Sequence, residues 1–112
     1  MRVIARPTRA VVWIIEDEQH RGRLEMVVLI NKKGSYGIIE NVFVKEEYRG
    51  QGIASELVET AKSLAAEKKF YKIVLTCSEA LLPFYKRLGF EWQEQGQAYC
   101  MRLDFNYIKD KK

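Results

Sequence analysis

The chain has 112 residues, 47% hydrophobic and 30% charged, with 19 Lys+Arg against 15 Asp+Glu and a formal net charge of +4. A chain this long folds as one domain burying about two thirds of the surface its unfolded form exposes, which excludes two domains but allows a real core. No window approaches the roughly 18 apolar residues of a membrane span, residues 1–6 lack a signal-peptide core, and a basic surplus held partly at the chain ends (Arg2, Lys109, Lys111, Lys112) is no argument for nucleic acid.

A single domain over 1–105 with a charged tail over 106–112 is therefore expected, in a soluble, cytoplasmic protein. Residues 10–15 and 24–30 are apolar runs rich in β-branched side chains, separated by a polar interval containing Gly22, and read as two antiparallel strands. After the polar stretch 31–37, a third apolar run over 38–44 completes a meander. The period then changes. Ile53, Leu57, Val58, Ala61, Leu64 and Ala65 fall on one helical face, with Glu56, Glu59, Lys62, Glu67 and Lys68 on the other, predicting a helix over 53–69. Residues 73–77 form a short continuous apolar run of the kind that makes a strand buried on both faces. A second helix is expected over 79–88, starting near Leu81 or Leu82 because Pro83 belongs in a first turn, and ending at Gly89. A hairpin over 90–93 and 98–105 closes the chain. The fold class is α/β in the broad sense: a mixed, mostly antiparallel sheet with one β-α-β crossover, whose two joined strands lie parallel.

The chemistry concentrates in Tyr48-Arg49-Gly50-Gln51-Gly52-Ile53-Ala54, a two-glycine loop feeding an amphipathic helix at the carboxyl end of the third strand. The first turn of a helix carries unpartnered N–H groups and the positive end of the macrodipole. No Ser, Thr, Asp or Asn in the loop can cap them. Glycines admit a phosphate and Arg49 adds a permanent charge, so the loop has the makings of a pyrophosphate cradle. It is neither a P-loop, lacking Gly-Lys-Ser/Thr, nor a dinucleotide fingerprint, lacking the third glycine.

Over residues 11–103 the sequence resembles the GNAT superfamily of acyl-CoA-dependent N-acetyltransferases. The resemblance rests on Ile39-Glu40-Asn41-Val42-Phe43-Val44 leading into the loop, on the Arg/Gln-x-x-Gly-x-Gly/Ala signature at Arg49 to Ala54, and on Phe84-Tyr85-Lys86-Arg87-Leu88-Gly89-Phe90. It implies that the amides of Arg49, Gly50, Gln51, Gly52, Ile53 and Ala54 bind the pyrophosphate of acetyl-CoA. It also implies that the third and fourth strands splay, that the pantetheine arm pairs with backbone near Val42, Phe43 and Val44, and that a main-chain N–H there polarises the thioester. Tyr85 would protonate the departing sulfur, and Glu40 is the candidate base for the amine.

Stretches 37–44 and 71–75 are similar to the glucosamine-6-phosphate N-acetyltransferases. The chain departs from that group at the acceptor positions, with Thr76 in place of an acidic residue, Leu81 in place of an asparagine, and Asn41 in place of an acidic neighbour of Glu40. The family's usual leading strand and helices are also shortened, which implies an open acceptor pocket suited to a protein or peptide amine, or one walled by a second subunit. The exposed edge strand left behind is a reason to expect a homodimer.

His20, alone of its type, reads as a solvated turn residue, and Trp13 and Trp92 as core or interface residues. Cys77 and Cys100 read as apolar thiols, with no zinc spacing and no nucleophile partner. Asp17 and Glu18 lack metal-ligand spacing, so no metal is expected. Three readings follow in order: an N-acetyltransferase using acetyl-CoA and an amine in a ternary complex, a coenzyme-A-binding regulatory module without activity, and a small nucleic-acid binder.

Overall fold

The computed structural model describes residues 11–93 and 99–105. Six strands form one sheet in the order β1-β2-β3-β4-β6-β5, where β1 is Val11–Glu16, β2 Gly22–Asn31, β3 Gly34–Val44, β4 Lys72–Cys77, β5 Glu91–Gln93 and β6 Tyr99–Asp104. Helix α1 spans Ile53–Glu67 and α2 spans Leu82–Arg87, each preceded by a short 3-10 turn, Glu46–Tyr48 and Glu79–Leu81. The expected meander, crossover and closing hairpin are all present. The hairpin's connecting residues and the tail over 106–112 lie outside the described residues.

Two local expectations are corrected. Strand β3 begins at Gly34 rather than near residue 38, because the ladder with β2 continues to the pair Asn31↔Gly34 through residues with no apolar signal. Asn31 Oδ1 accepts the Lys33 amide at 2.8 Å, which closes that hairpin tightly. Strand β4 is buried on one face only: Ile73 and Leu75 are buried, while Val74 is half-buried and Thr76 exposed.

The cause is topological. A right-handed crossover from β3 through α1 to β4, and another from β4 through α2 to β5, move across the sheet in the same direction and so lay both helices on the same face. Lys62 of α1 confirms it by donating Nζ to the Leu88 carbonyl beyond α2 at 2.7 Å. The core is the layer between them. Leu24, Met26 and Ile39 from the meander, Ile73, Leu75 and Met101 from the other half, and Leu57, Val58, Ala61 and Ala65 from α1 are all at most 4% exposed. The alanines let the helix approach the sheet closely. Trp13 joins this layer by stacking on Phe70 at 5.4 Å, whereas Trp92 is exposed.

Both helix ends are built by the same device. Lys69 (φ 63) and Gly89 (φ 98) are left-handed, and the following amides reach back five residues, Phe70 to the Ala65 carbonyl at 2.9 Å and Phe90 to the Tyr85 carbonyl at 3.1 Å. At α2 this folds the Phe90 ring against Tyr85, centroids 5.9 Å apart. The same turn that stops the helix therefore fixes the tyrosine.

Candidate active site

Strands β3 and β4 are parallel partners only at Gly37↔Ile73 and Ile38↔Val74. Beyond those pairs β3 stays with β2 as far as Val44 and β4 stays with β6 as far as Cys77, so the sheet is split between them. The split is accompanied by a bulge. Arg23 pairs with Phe43 and Glu25 with Glu40, which leaves Leu24 opposite two residues, Asn41 and Val42. Asn41 takes the extra turn at φ 55, and its Nδ2 donates to Glu25 Oε1 at 2.8 Å. Alternation of apolar residues carries no sign of this bulge; an asparagine inside a strand run, the non-glycine residue most tolerant of left-handed backbone, is the one cue.

The loop after β3 is open, as its sequence implies. Gly50 and Gly52 have φ of 81 and 84, and a Cβ on either would meet nothing within 4 Å. Gly52 is the N-cap of α1, with no side-chain acceptor for the leading amides. One expected donor is committed elsewhere. The Arg49 amide donates to the Glu46 carbonyl at 3.3 Å, closing the 3-10 turn. Arg49 contributes through its side chain instead: Nε donates to the Val44 carbonyl at 2.9 Å and the guanidinium lies 5.9 Å from the Phe43 ring centroid. It straps the loop to the end of β3. Gln51 sits on the loop but does not line the cleft beside it.

Two clefts meet at the split. One, of about 580 Å³, is lined by Val42, Phe43 and Val44, by Arg49, Gly50, Gly52, Ile53 and Ala54 of the loop and helix start, and by Phe84 and Tyr85. The other, of about 490 Å³, is lined by Ile39, Glu40, Asn41, Leu75, Thr76 and Cys77. Val42, Leu81 and Tyr85 belong to both, so the clefts abut where the tyrosine stands. Tyr85 is 5% exposed, with Phe84 and Phe90 edge-on to it. Burial pushes its phenol above the ordinary value, and the nearby Cys77 thiol adds to the shift, so it is a protonated donor at neutral pH. Glu40 is exposed in the second cleft. The structure thus brings the loop, the β3 backbone, Tyr85 and Glu40 around one split.

Other sequence candidates stay apart from it. His20 is an exposed turn residue 3.4 Å from Glu16, and Lys86 and Arg87 are exposed in the last turn of α2. Asp17 serves its turn by accepting Arg21 Nε at 2.7 Å and Nη2 at 2.9 Å. Among the described residues no group of three or more His, Cys, Asp or Glu could hold a metal, and no helix is long and apolar enough to cross a membrane.

The chain thus has a split mixed sheet with an uncapped, glycine-opened helix at its mouth, and comparison with known proteins gives its family. A family model described as "Acetyltransferase (GNAT) domain" matches residues 8–92, and the chain belongs to that family. It is 41% identical over 68 residues to a glucosamine 6-phosphate N-acetyltransferase of Trypanosoma brucei brucei, an alignment covering 61% of this chain and 44% of that protein. It is 30% identical over 82 residues to a thialysine N-epsilon-acetyltransferase of Bos taurus, covering 70% and 48%. The chain thus spans less than half the length of these curated relatives. Among solved structures, the NatC complex bound to Gag peptide and CoA shares the fold, with a TM-score of 0.72 at 23% identity over 85% of this chain and 71% of that one.

Proposed function

We propose that the chain transfers the acetyl group of acetyl-CoA to a primary amine by direct attack in a ternary complex. The observation that carries this reading is the meeting of two clefts at Tyr85, one floored by the loop and helix start, the other holding Glu40. A thioester threaded from the first reaches an amine in the second at the split.

The steps follow from these groups. The amides of Gly50, Gly52, Ile53 and Ala54 take the pyrophosphate, where the helix N-terminus and open glycines favour an anion. The pantetheine arm runs along Val42, Phe43 and Val44, and the bulge directs a β3 amide at the thioester carbonyl to stabilise its oxyanion. Glu40, directly or through water, accepts the proton that an alkyl ammonium must lose before its nitrogen can attack. The C–N bond forms, the C–S bond breaks, and Tyr85 donates a proton to sulfur. A phenol raised by burial is a weaker acid than a free thiol, so the donation is concerted with bond cleavage, and the second proton, released by the attacking nitrogen as the amide forms, then restores the phenol.

The protein is further inferred to be a single domain over 1–105, cytoplasmic, and homodimeric through β1, the outermost strand among the described residues, where Val11, Val12 and Ile14 are at least half exposed. The test is thiol release from acetyl-CoA. Addition of an amine should accelerate it, with calorimetry showing acetyl-CoA bound in the absence of acceptor. Binding without acceleration by any amine or peptide would overturn the transferase reading; no binding at all would overturn the cradle as well.

A further inference from the structure

The two clefts have opposite polarity. Positive character lies on the cofactor side, in the uncapped start of α1 and the Arg49 guanidinium. On the acceptor side the charged group among the described lining residues is the Glu40 carboxylate. Glu25 stands directly across the ladder from Glu40. Two carboxylates in register repel and cost stability. Glu25 is compensated, by Arg23 at 3.0 Å and the Asn41 amide at 2.8 Å, whereas Glu40 is exposed and engages no ion pair among the described residues. Its uncompensated negative charge faces the space an acceptor must enter. The rest of the lining is mixed: Asn41 and the Thr76 and Tyr85 hydroxyls are polar, and Val42 and Leu81 are apolar.

We infer that the acceptor is an unphosphorylated primary amine, drawn in as its ammonium form by Glu40, and that phosphorylated amines are rejected. This rests on the transferase reading. Recognition of a phosphate calls for arginine, lysine or a helix N-terminus, and among the described residues such groups line the other cleft and not this one. A phosphorylated acceptor would instead place a dianion beside Glu40 and Glu25. Curated relatives are named for both kinds of acceptor, several for an amino sugar phosphate and another for thialysine. The lining of this chain's cleft suits an acceptor of the second kind.

The experiment measures thiol release at saturating acetyl-CoA with four acceptors: 1,5-diaminopentane, 5-aminopentanol, glucosamine and glucosamine 6-phosphate. The expected result is a kcat/KM at least about tenfold higher for the alkyl amines than for glucosamine 6-phosphate, equivalent to about 1.4 kcal/mol. The KM for diaminopentane should also rise with ionic strength as the attraction is screened. Equal or better use of glucosamine 6-phosphate overturns the inference while leaving the transferase reading intact. Acceleration by none of these amines, with acetyl-CoA bound, overturns the inference, and the same failure with peptide amines overturns the transferase reading too. A second variant checks the electrostatic basis. Thr76→Arg places a cation at the exposed end of β4 in the same cleft, and should raise the ratio of glucosamine 6-phosphate to glucosamine turnover by about threefold or more. An unchanged ratio in a folded variant overturns the charge argument.

Discussion

Asn41 and Glu25 are joined across the β2–β3 ladder by a 2.8 Å hydrogen bond, made at the one place where β3 carries an extra residue in left-handed backbone. The bond and the backbone preference act together. Asparagine tolerates φ near +55, while alanine there costs about 1–2 kcal/mol and also forfeits a charge-assisted bond. Asn41→Ala should lower stability by about 2 kcal/mol in urea unfolding, and Asn41→Gly by less than half of that, since glycine keeps the conformation. If the bulge aims a β3 amide at the thioester, kcat falls in the alanine variant and is largely kept in the glycine variant, with acetyl-CoA affinity little changed in either.

Gly52 separates stability from binding. A methyl group there meets no atom within 4 Å, so Gly52→Ala pays only for the backbone at φ 84, about 1 kcal/mol. The methyl would enter the cleft at the helix start, where a close-approaching phosphate needs the room. Calorimetry should show acetyl-CoA affinity reduced about tenfold or more, well beyond the loss in stability. Equal affinity in the variant would remove the loop from the cofactor site.

Most of this architecture could be read from sequence because each element has one dominant cause. The helical spacing from Ile53 to Ala65 survives as the buried face of α1, and Pro83 and Gly89 mark the two ends of α2 within a residue or two. Gly50 and Gly52 announce a loop that only glycine occupies without strain. What escaped depends on partners distant in sequence. The early start of β3 comes from a ladder whose bonds ignore side chains, and the half-bare face of β4 from two crossovers of the same hand. The Arg49 amide is spent on a 3-10 turn that no residue pattern declares. The bulge at Asn41 needs Glu25 sixteen residues away.

Lys62 ties the two helices that form the site. Its side chain is 23% exposed, and the ammonium donates to the Leu88 carbonyl at 2.7 Å, an acceptor at the C-terminal end of α2, and also lies 3.2 Å from Glu59. Lys62→Met keeps the apolar stem and removes the charge, and should cost about 1–2 kcal/mol in chemical denaturation, as expected for a hydrogen bond to a charged group. Glu59→Gln, breaking only the exposed ion pair, should cost less than about 0.5 kcal/mol. Equal effects of the two would show that the helix-end contact contributes nothing.

Asp17 sets the acid limb of stability. The Arg21 guanidinium bound to its carboxylate holds it well below the usual range, with the Arg21 and Gln19 amides helping. A carboxylate with a lower pKa folded than unfolded stabilises the protein above its unfolded value near 4, and that contribution is lost as pH falls toward the folded value. Asp17→Asn should be less stable than the parent at pH 7, with the difference shrinking below pH 4. Thermal unfolding at a series of pH values measures it.

Tyr85 has the opposite sign. Its phenol is raised by burial, so the folded protein holds that proton more tightly than the unfolded chain does. The associated stability is fully present below the unfolded value near 10 and is lost as pH rises through the folded one. Tyr85→Phe should therefore flatten the alkaline decline in stability and leave the acid side as it was, because a phenyl ring keeps the contacts with Phe84 and Phe90. Activity separates the packing role from the chemical one. As proton donor to sulfur, Tyr85 is worth about a hundredfold in turnover, so the phenylalanine variant should bind acetyl-CoA normally and turn over at about 1% of the parent rate. A variant with the flattened alkaline limb and full turnover would make Tyr85 a core residue, and the sulfur proton would then have to come from solvent.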